Sequence, residues 1–184
     1  MRLRSWLSLL LIGLFIVCPV AVPATELQRS GFWGSLEAGI GSVRSQLPQS
    51  DGEHERLYLG FTGGYSLNPH LLLGVELSGW NIQSGNLHDP SQGEGIMQLL
   101  GIARLYPSEQ GGYFLKIGGG YLDHWNNRPN ETRRQEGWEL CLGGGYDIAL
   151  TTRFAMTPFI NFSFGKAGNE DNRIITFGVG MTIQ

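Results

Sequence analysis

Gly137-Trp138-Glu139-Leu140-Cys141-Leu142-Gly143-Gly144-Gly145-Tyr146-Asp147-Ile148 is followed, after Ala149-Leu150-Thr151-Thr152, by Arg153-Phe154-Ala155-Met156-Thr157-Pro158-Phe159-Ile160-Asn161-Phe162-Ser163-Phe164-Gly165. Every second residue of the first part, Trp138, Leu140, Leu142, Gly144, Tyr146 and Ile148, falls on one face. Glu139, Cys141, Gly143, Gly145 and Asp147 fall on the other. The second part repeats the pattern, with Phe154, Met156, Pro158, Ile160, Phe162 and Phe164 against Ala155, Thr157, Asn161 and Ser163. A period of two is a strand, and two such runs joined by a few turn residues form a hairpin. Each run has the roughly 9–11 residues of a tilted bilayer crossing. One face is apolar with aromatics towards its ends, and the other is small or polar. That dyad is the signature of a transmembrane β-barrel.

Working outward, the same alternation recurs through the chain. Strands are expected over about 31–43, 56–67, 71–81, 95–106 and 113–125, then the hairpin over about 137–148 and 153–165, and an eighth from 172 to the C-terminus. Residues 31–43 set Phe32, Leu36, Ala38 and Ile40 against Ser35, Glu37, Gly39 and Gly41. Residues 56–67 set Leu57, Leu59, Phe61, Tyr65 and Leu67 against Gly60, Thr62, Gly64 and Ser66. The fourth strand is less clean, because Leu100 and Ile102 fall in the set of Gln98 and Arg104. Pro158 fits least well, since a proline removes a ladder donor and should mark a bulge or a break in pairing. The joining segments 45–55, 83–94 and 126–135 read as long polar loops. Those around Asn68-Pro69-His70, 107–112 and 149–152 read as tight turns, and 166–171 is intermediate. Long and short connections alternate as in outer-membrane barrels, with short turns periplasmic and long loops extracellular, so both termini are expected in the periplasm.

The chain opens Met1-Arg2-Leu3-Arg4 and runs apolar from Trp6 to Val22 before Pro23-Ala24. This is the plan of a secretory signal peptide over 1–24, leaving 25–184 as one barrel domain. The 13 basic against 16 acidic residues give −3, and loss of Arg2 and Arg4 leaves −5, which excludes a nucleic-acid binder. Only Cys141 remains after cleavage, so the exported chain can form no internal disulfide. Gly-Gly-Tyr recurs at Gly63–Tyr65, Gly119–Tyr121 and Gly144–Tyr146. Inside strands it reads as glycine making room in a narrow lumen and tyrosine at the membrane interface, not as a phosphate-binding loop, which needs a following helix.

The mature chain resembles the small outer-membrane β-barrel domain family, the OmpA/OmpX-like eight-stranded barrels. The last strand carries most of that resemblance: Thr176-Phe177-Gly178-Val179-Gly180-Met181-Thr182-Ile183 matches the terminal assembly signal, although Gln184 stands where many relatives end on an aromatic. The resemblance implies an up-and-down antiparallel meander and recognition of the C-terminal strand by the barrel-assembly machinery. It implies no cofactor and no particular activity, because the family hosts adhesins, structural proteins and lipid-modifying enzymes.

Strand parity places Glu37, Glu76, Arg104, Lys116 and Glu139 on the lumen face. Charges there are tolerable only if paired, so Arg104 and Lys116 are expected to pair with the glutamates. Arg128, Arg133 and Arg134 in the third outer loop are candidates for contact with lipopolysaccharide phosphates, because guanidinium binds such oxygens bidentately. Asp51, Glu53 and Glu55 crowd the first loop. A lipid A-modifying hydrolase would need a histidine, a nucleophile and an orienting carboxylate on one wall. His124 is the one candidate; Asp123 faces the other way, and Ser78 and Ser163 are lumen-facing on other strands. His54, His70 and His88 lie in turns without metal-ligand spacing, and the sequon Asn130-Glu131-Thr132 reads as chance. The expectation is a monomeric outer-membrane barrel with a structural or surface-interaction role. A lipid A hydrolase, a narrow ion or solute channel, and a soluble lipocalin-like barrel with the opposite polarity are the other readings.

Overall fold

The computed structural model describes residues 27–45, 54–82, 93–128, 131–168 and 170–184. Residues 1–26, with the expected signal peptide, and the segments 46–53 and 83–92 lie outside the described residues. The strands are β1 (Gly31–Ser45), β2 (His54–Asn68), β3 (Leu71–Ile82), β4 (Gly93–Leu105), β5 (Tyr113–Arg128), β6 (Glu131–Tyr146), β7 (Phe154–Ala167) and β8 (Glu170–Ile183). Beyond Asp147 the course of β6 continues as the two-residue Ile148–Ala149. Each strand pairs antiparallel with the next, and β8 closes on β1 from Gly34 opposite Ile183 to Ser45 opposite Asn172. The result is a closed eight-stranded meander, as the alternation requires. Closure leaves the barrel without a free edge along its wall.

Parity holds around the ring. Leu57, Leu59, Phe61, Leu140, Leu142 and Phe177 point outward and are exposed, while Ser35, Thr62, Ser78, Glu139 and Thr176 point inward and are buried. From Leu57 to Leu67 a strand rises about 33 Å. At a tilt of roughly 40° that covers about 25 Å, the height of the apolar band of an outer-membrane barrel. Both faces carry apolar residues, however. Trp33, Tyr58, Leu72, Trp80, Phe114 and Leu122 are lumen residues, as are the awkward Leu100 and Ile102. Eight strands leave an interior just wide enough for such side chains to fill.

Pro158 does what a proline must. The β6–β7 ladder runs from Gly137 opposite Ala167 to Gly145 opposite Phe159, then resumes with Ile148 opposite Met156 in the same register. It lapses only across from Pro158 and Thr157, while Pro158 keeps its place opposite Val179 in β8. The break in pairing is therefore local, with no bulge. Asp147 N–H turns instead to Gly112 O at 2.9 Å.

Two expected loops are corrected. Residues 126–135 are largely strand, because β5 continues to Arg128 and β6 starts at Glu131. Residues 166–171 contract to a turn between Ala167 and Glu170. Polar composition misled in both places: a hairpin with water on both faces has no reason to alternate, yet its backbone still pairs. Arg128, Arg133 and Arg134 accordingly lie on strands, and the side chains of Arg128 and Arg133 lie outside the described residues.

The termini share one end of the barrel, where Gln28 N–H meets Thr152 O at 3.3 Å and Gln184 N–H meets Arg153 O at 2.9 Å. We call this the near end. It also carries the Asn68–His70 turn, capped by Asn68 Oδ1 accepting from His70 N–H at 2.9 Å.

Candidate functional site

The lumen is built in tiers. Towards the near end Trp33, Leu72, Leu100, Ile102, Tyr106, Phe114 and Cys141 pack together. Towards the far end Tyr58, Trp80, Ile96, Leu122, Phe159, Ala167 and Ile174 form a second cluster. Glycine makes room for the large rings: a Cβ on Gly64 would lie 2.7 Å from Trp33 Nε1, and one on Gly145 would lie 2.7 Å from Phe114 Cζ. This is the service expected of the Gly-Gly-Tyr repeats.

Between the two clusters lies the charged belt, and all five residues expected in it are there. Arg104 Nη2 donates to Glu37 Oε1 at 2.6 Å, and Lys116 Nζ to Glu76 Oε2 at 2.6 Å. Arg104 is wholly buried, with its guanidinium carbon 4.6 Å from the Trp33 ring centre and 4.9 Å from that of Phe114. Tyr58 Oη spans the two pairs, 3.2 Å from Glu37 Oε2 and 3.4 Å from Glu76 Oε1. Ser78 Oγ donates to Glu76 Oε1 at 3.2 Å. Breaking either ion pair would leave a buried charge without its partner.

Glu139 stands apart. Its neighbours are the Ser163 hydroxyl and the Gln98 side-chain amide, which also reaches Ser78 Oγ at 2.7 Å. The belt thus holds three carboxylates and two cations. Gln98 was set on the face of Arg104 without a role, and Tyr58 escaped the sequence reading, though parity was enough to find it between the outward Leu57 and Leu59.

At the near end a polar chain closes the lumen. Arg29 Nη1 donates to Glu109 O at 2.8 Å and Nη2 to Gly111 O at 2.6 Å, with the guanidinium 3.8 Å over the Tyr106 ring. Tyr106 Oη donates to Asp147 Oδ2 at 2.8 Å, and Thr157 Oγ1 donates to Asp147 Oδ1 at 2.8 Å. The chain continues through Thr182 to Ser35. Burial, with the Asp147 carboxylate adding to it, holds the Tyr106 phenol well above its ordinary range.

Beside that chain Arg29 Nε, Ser66 Oγ and the Gln184 amide are buried without a hydrogen-bond partner among the described residues, as Trp80 Nε1, Thr176 Oγ1 and both amide atoms of Asn172 are at the far end. On the outer wall, Arg134 holds Asp123 bidentately, Nε to Oδ1 at 2.9 Å and Nη2 to Oδ2 at 2.7 Å. Lys166 and Arg173 are exposed on the same wall, next to Trp138 and Phe164 in the register.

His124 points into the lumen, where the register sets it beside Ile96 and Gln135. Asp123 points outward to Arg134, as parity required. Ser78 and Ser163 belong to the carboxylate belt. The structure therefore does not gather these four residues on one wall. Among the described residues no group of three histidine, cysteine or acidic side chains could hold a metal.

No protein-family model matches the chain, and no curated protein does. Solved structures do. Neisserial surface protein A (NspA) superposes with a TM-score of 0.61 at 17% identity, over 84% of this chain and 97% of that one. Ail, the attachment invasion locus protein of Yersinia pestis, gives 0.54 at 11% identity over 84% and 99%. Ail in complex with the heparin analogue sucrose octasulfate gives 0.58 at 9% identity over 85% and 100%. The chain has the fold of small eight-stranded outer-membrane barrels.

Proposed function

We propose that the chain is a closed barrel of a bacterial outer membrane, with a structural or surface-interaction role and its far rim as the contact surface. One observation carries the reading: the outer wall is apolar while the lumen is charged. Phe32 is 85% exposed and Glu37 2%. A soluble ligand-carrying barrel has the reverse polarity, and an exposed apolar belt of this extent is unstable in water. The aromatics support the same placement, with Phe32, Tyr65, Tyr113 and Tyr146 at the near end and Tyr121, Trp138 and Phe164 towards the far end. The near end is then periplasmic. The charged belt and the two packed clusters disfavour a channel. The similar proteins are by name a surface protein and an attachment invasion protein, which favours the surface role. The test is fractionation with gel migration. Recovery in the outer membrane with heat-modifiable migration is expected; a freely soluble periplasmic protein would sink the reading.

A second reading concerns lipopolysaccharide. Arg134, Lys166 and Arg173 lie just beyond the far-end aromatics, where lipid phosphates would meet the wall. Asp123 already engages Arg134, so Lys166 and Arg173 join the arginines singled out by sequence. Replacing Arg134, Lys166 and Arg173 with glutamine should reduce co-purifying lipopolysaccharide, and an unchanged amount counts against it. For a hydrolase centred on His124, lipid A mass spectra from cells with the wild type, His124→Ala and no protein are decisive. Three identical spectra are expected.

A further inference from the structure

The far rim is stepped at the boundary between β6 and β7. β6 pairs with β5 along its whole length, from Tyr146 opposite Tyr113 to Glu131 opposite Arg128. With β7 it pairs only as far as Gly137 opposite Ala167, because β7 turns into β8 between Ala167 and Glu170. Residues 131–136 therefore stand above the β7–β8 turn, over a length of roughly 20 Å. Among the described residues no strand pairs with them on that side. One bond bridges the step, from Gly168 N–H to Glu136 O at 3.2 Å.

That bond fixes the sense of the edge. In an antiparallel pair a residue directs its N–H and C=O to one neighbour, and the next residue directs them to the other. Glu136 faces away from β5, so Arg134 and Thr132 do as well. Their backbone donors and acceptors form a short template for another strand. On its other side the hairpin is supported. β4 pairs with β5 up to Gly93 opposite Asn127, and the Trp125 ring lies against Gly95 so closely that a Cβ there would meet it. An edge held in place beforehand loses little freedom when something binds to it.

The edge also carries charge. Thr132 to Gln135 holds two arginines and no acid, while Glu131 faces Arg128 across the hairpin. Consecutive residues belong to opposite faces of a strand, so Arg133 and Arg134 give each face one positive charge. Arg134, gripped by Asp123 through Nε and Nη2, keeps its side chain 61% exposed. Charges on an edge deter indiscriminate pairing. A second copy laid antiparallel along the whole bare edge would set Arg133 opposite Arg134 and Glu131 opposite Glu136, like against like. An acidic strand beside Arg133 and Arg134 meets no such penalty.

We infer that residues 132–135 of β6 dock an extended acidic segment of a partner protein by strand addition. The partner's backbone bonds to Thr132 and Arg134, and two consecutive carboxylates lie beside Arg133 and Arg134. This docking rests on the far rim being the contact surface proposed above, and it gives the partner a chemical class.

The experiment titrates the barrel, refolded in lipid vesicles, with a fluorescent peptide of threonine and valine carrying Asp-Glu at its centre. Affinity should fall about tenfold or more when Asn-Gln replaces Asp-Glu, or when Arg133 and Arg134 are both changed to glutamine. Binding should be lost when the peptide amides are N-methylated. It should also be lost in Thr132→Pro, which removes an edge donor without touching the bonds between β5 and β6. Absence of binding, or equal affinity for the charged and neutral peptides, would overturn the proposal. Binding that survives N-methylation would do the same, since it marks a charge contact without strand addition. So would self-association of the barrel that Thr132→Pro abolishes, for the edge would then belong to a second copy. Heat-modifiable migration shows whether each variant has folded; if Thr132→Pro has not, the N-methylated peptide on the wild type decides. A wild type that does not enter vesicles would sink the outer-membrane reading alone, and the same titration in buffer still tests the edge.

Discussion

The two ends of the lumen are made of the same alternating strands and yet are finished differently. At the near end Arg29 lies over the Tyr106 ring, and a chain of hydrogen bonds runs from Tyr106 through Asp147 and Thr157 to Thr182 and Ser35. At the far end Trp80, Asn172 and Thr176 keep polar atoms without partners among the described residues, and at the near end Arg29 Nε, Ser66 Oγ and the Gln184 amide do so beside the chain. A chain of bonded side chains fixes one arrangement, whereas polar groups without partners add little to hold theirs. The near end therefore anchors the barrel and the far end is free to specialise, which fits a contact surface there. The belt between them is the boundary, and its ion pairs belong energetically with the anchor.

That contrast can be broken by mutation, with urea unfolding in vesicles as the common measure. Glu37→Ala should cost most, about 3–5 kcal/mol, because Arg104 is left buried without its carboxylate. Leu59→Arg, which places a charge on the lipid-facing wall, should cost about 2–4 kcal/mol if Leu59 lies near the bilayer midplane and much less in detergent. At the near end Arg29→Ala removes donors from the carbonyls of Glu109 and Gly111 and should cost about 1–3 kcal/mol. The matching far-end change, Asn172→Leu, removes two polar atoms that bond nothing described and should be within about 1 kcal/mol of neutral. A loss at Asn172 as large as that at Arg29 would erase the distinction. Arg134→Gln should cost at most about 1 kcal/mol, since Arg134 itself is exposed and glutamine can still donate to the buried Asp123 carboxylate.

How much of this was legible beforehand follows from what alternation can and cannot encode. Eight strands, their order and the five belt charges follow from parity, because one face is apolar and exposed and the other lines the lumen. The partners did not follow. That Arg104 takes Glu37 rather than Glu76 depends on the shear of the closed barrel, which no single strand records. The lumen aromatics were obscured for another reason. Trp33, Tyr58 and Phe114 are apolar residues on the polar face, so they blur the very pattern used to find strands. The fourth strand looked irregular because Leu100 and Ile102 fill the lumen beside Arg104. Beyond the apolar band the pattern stops carrying information, and the end of the β5–β6 hairpin reads as loop although its backbone pairs as far as Arg128 opposite Glu131.

Arg29 also bears on the order of assembly. Its contacts bridge 80 and 82 residues of chain, and the Ser35–Thr182 bond at the β1–β8 seam bridges 147. Contacts so distant in sequence are slow to form, because the intervening chain must first lose its freedom. The residues just ahead of β1 can find their carbonyls only after the β4–β5 turn exists. The segment just ahead of β1 is thus among the last to settle, and Arg29 serves as the fastener of a barrel already rolled.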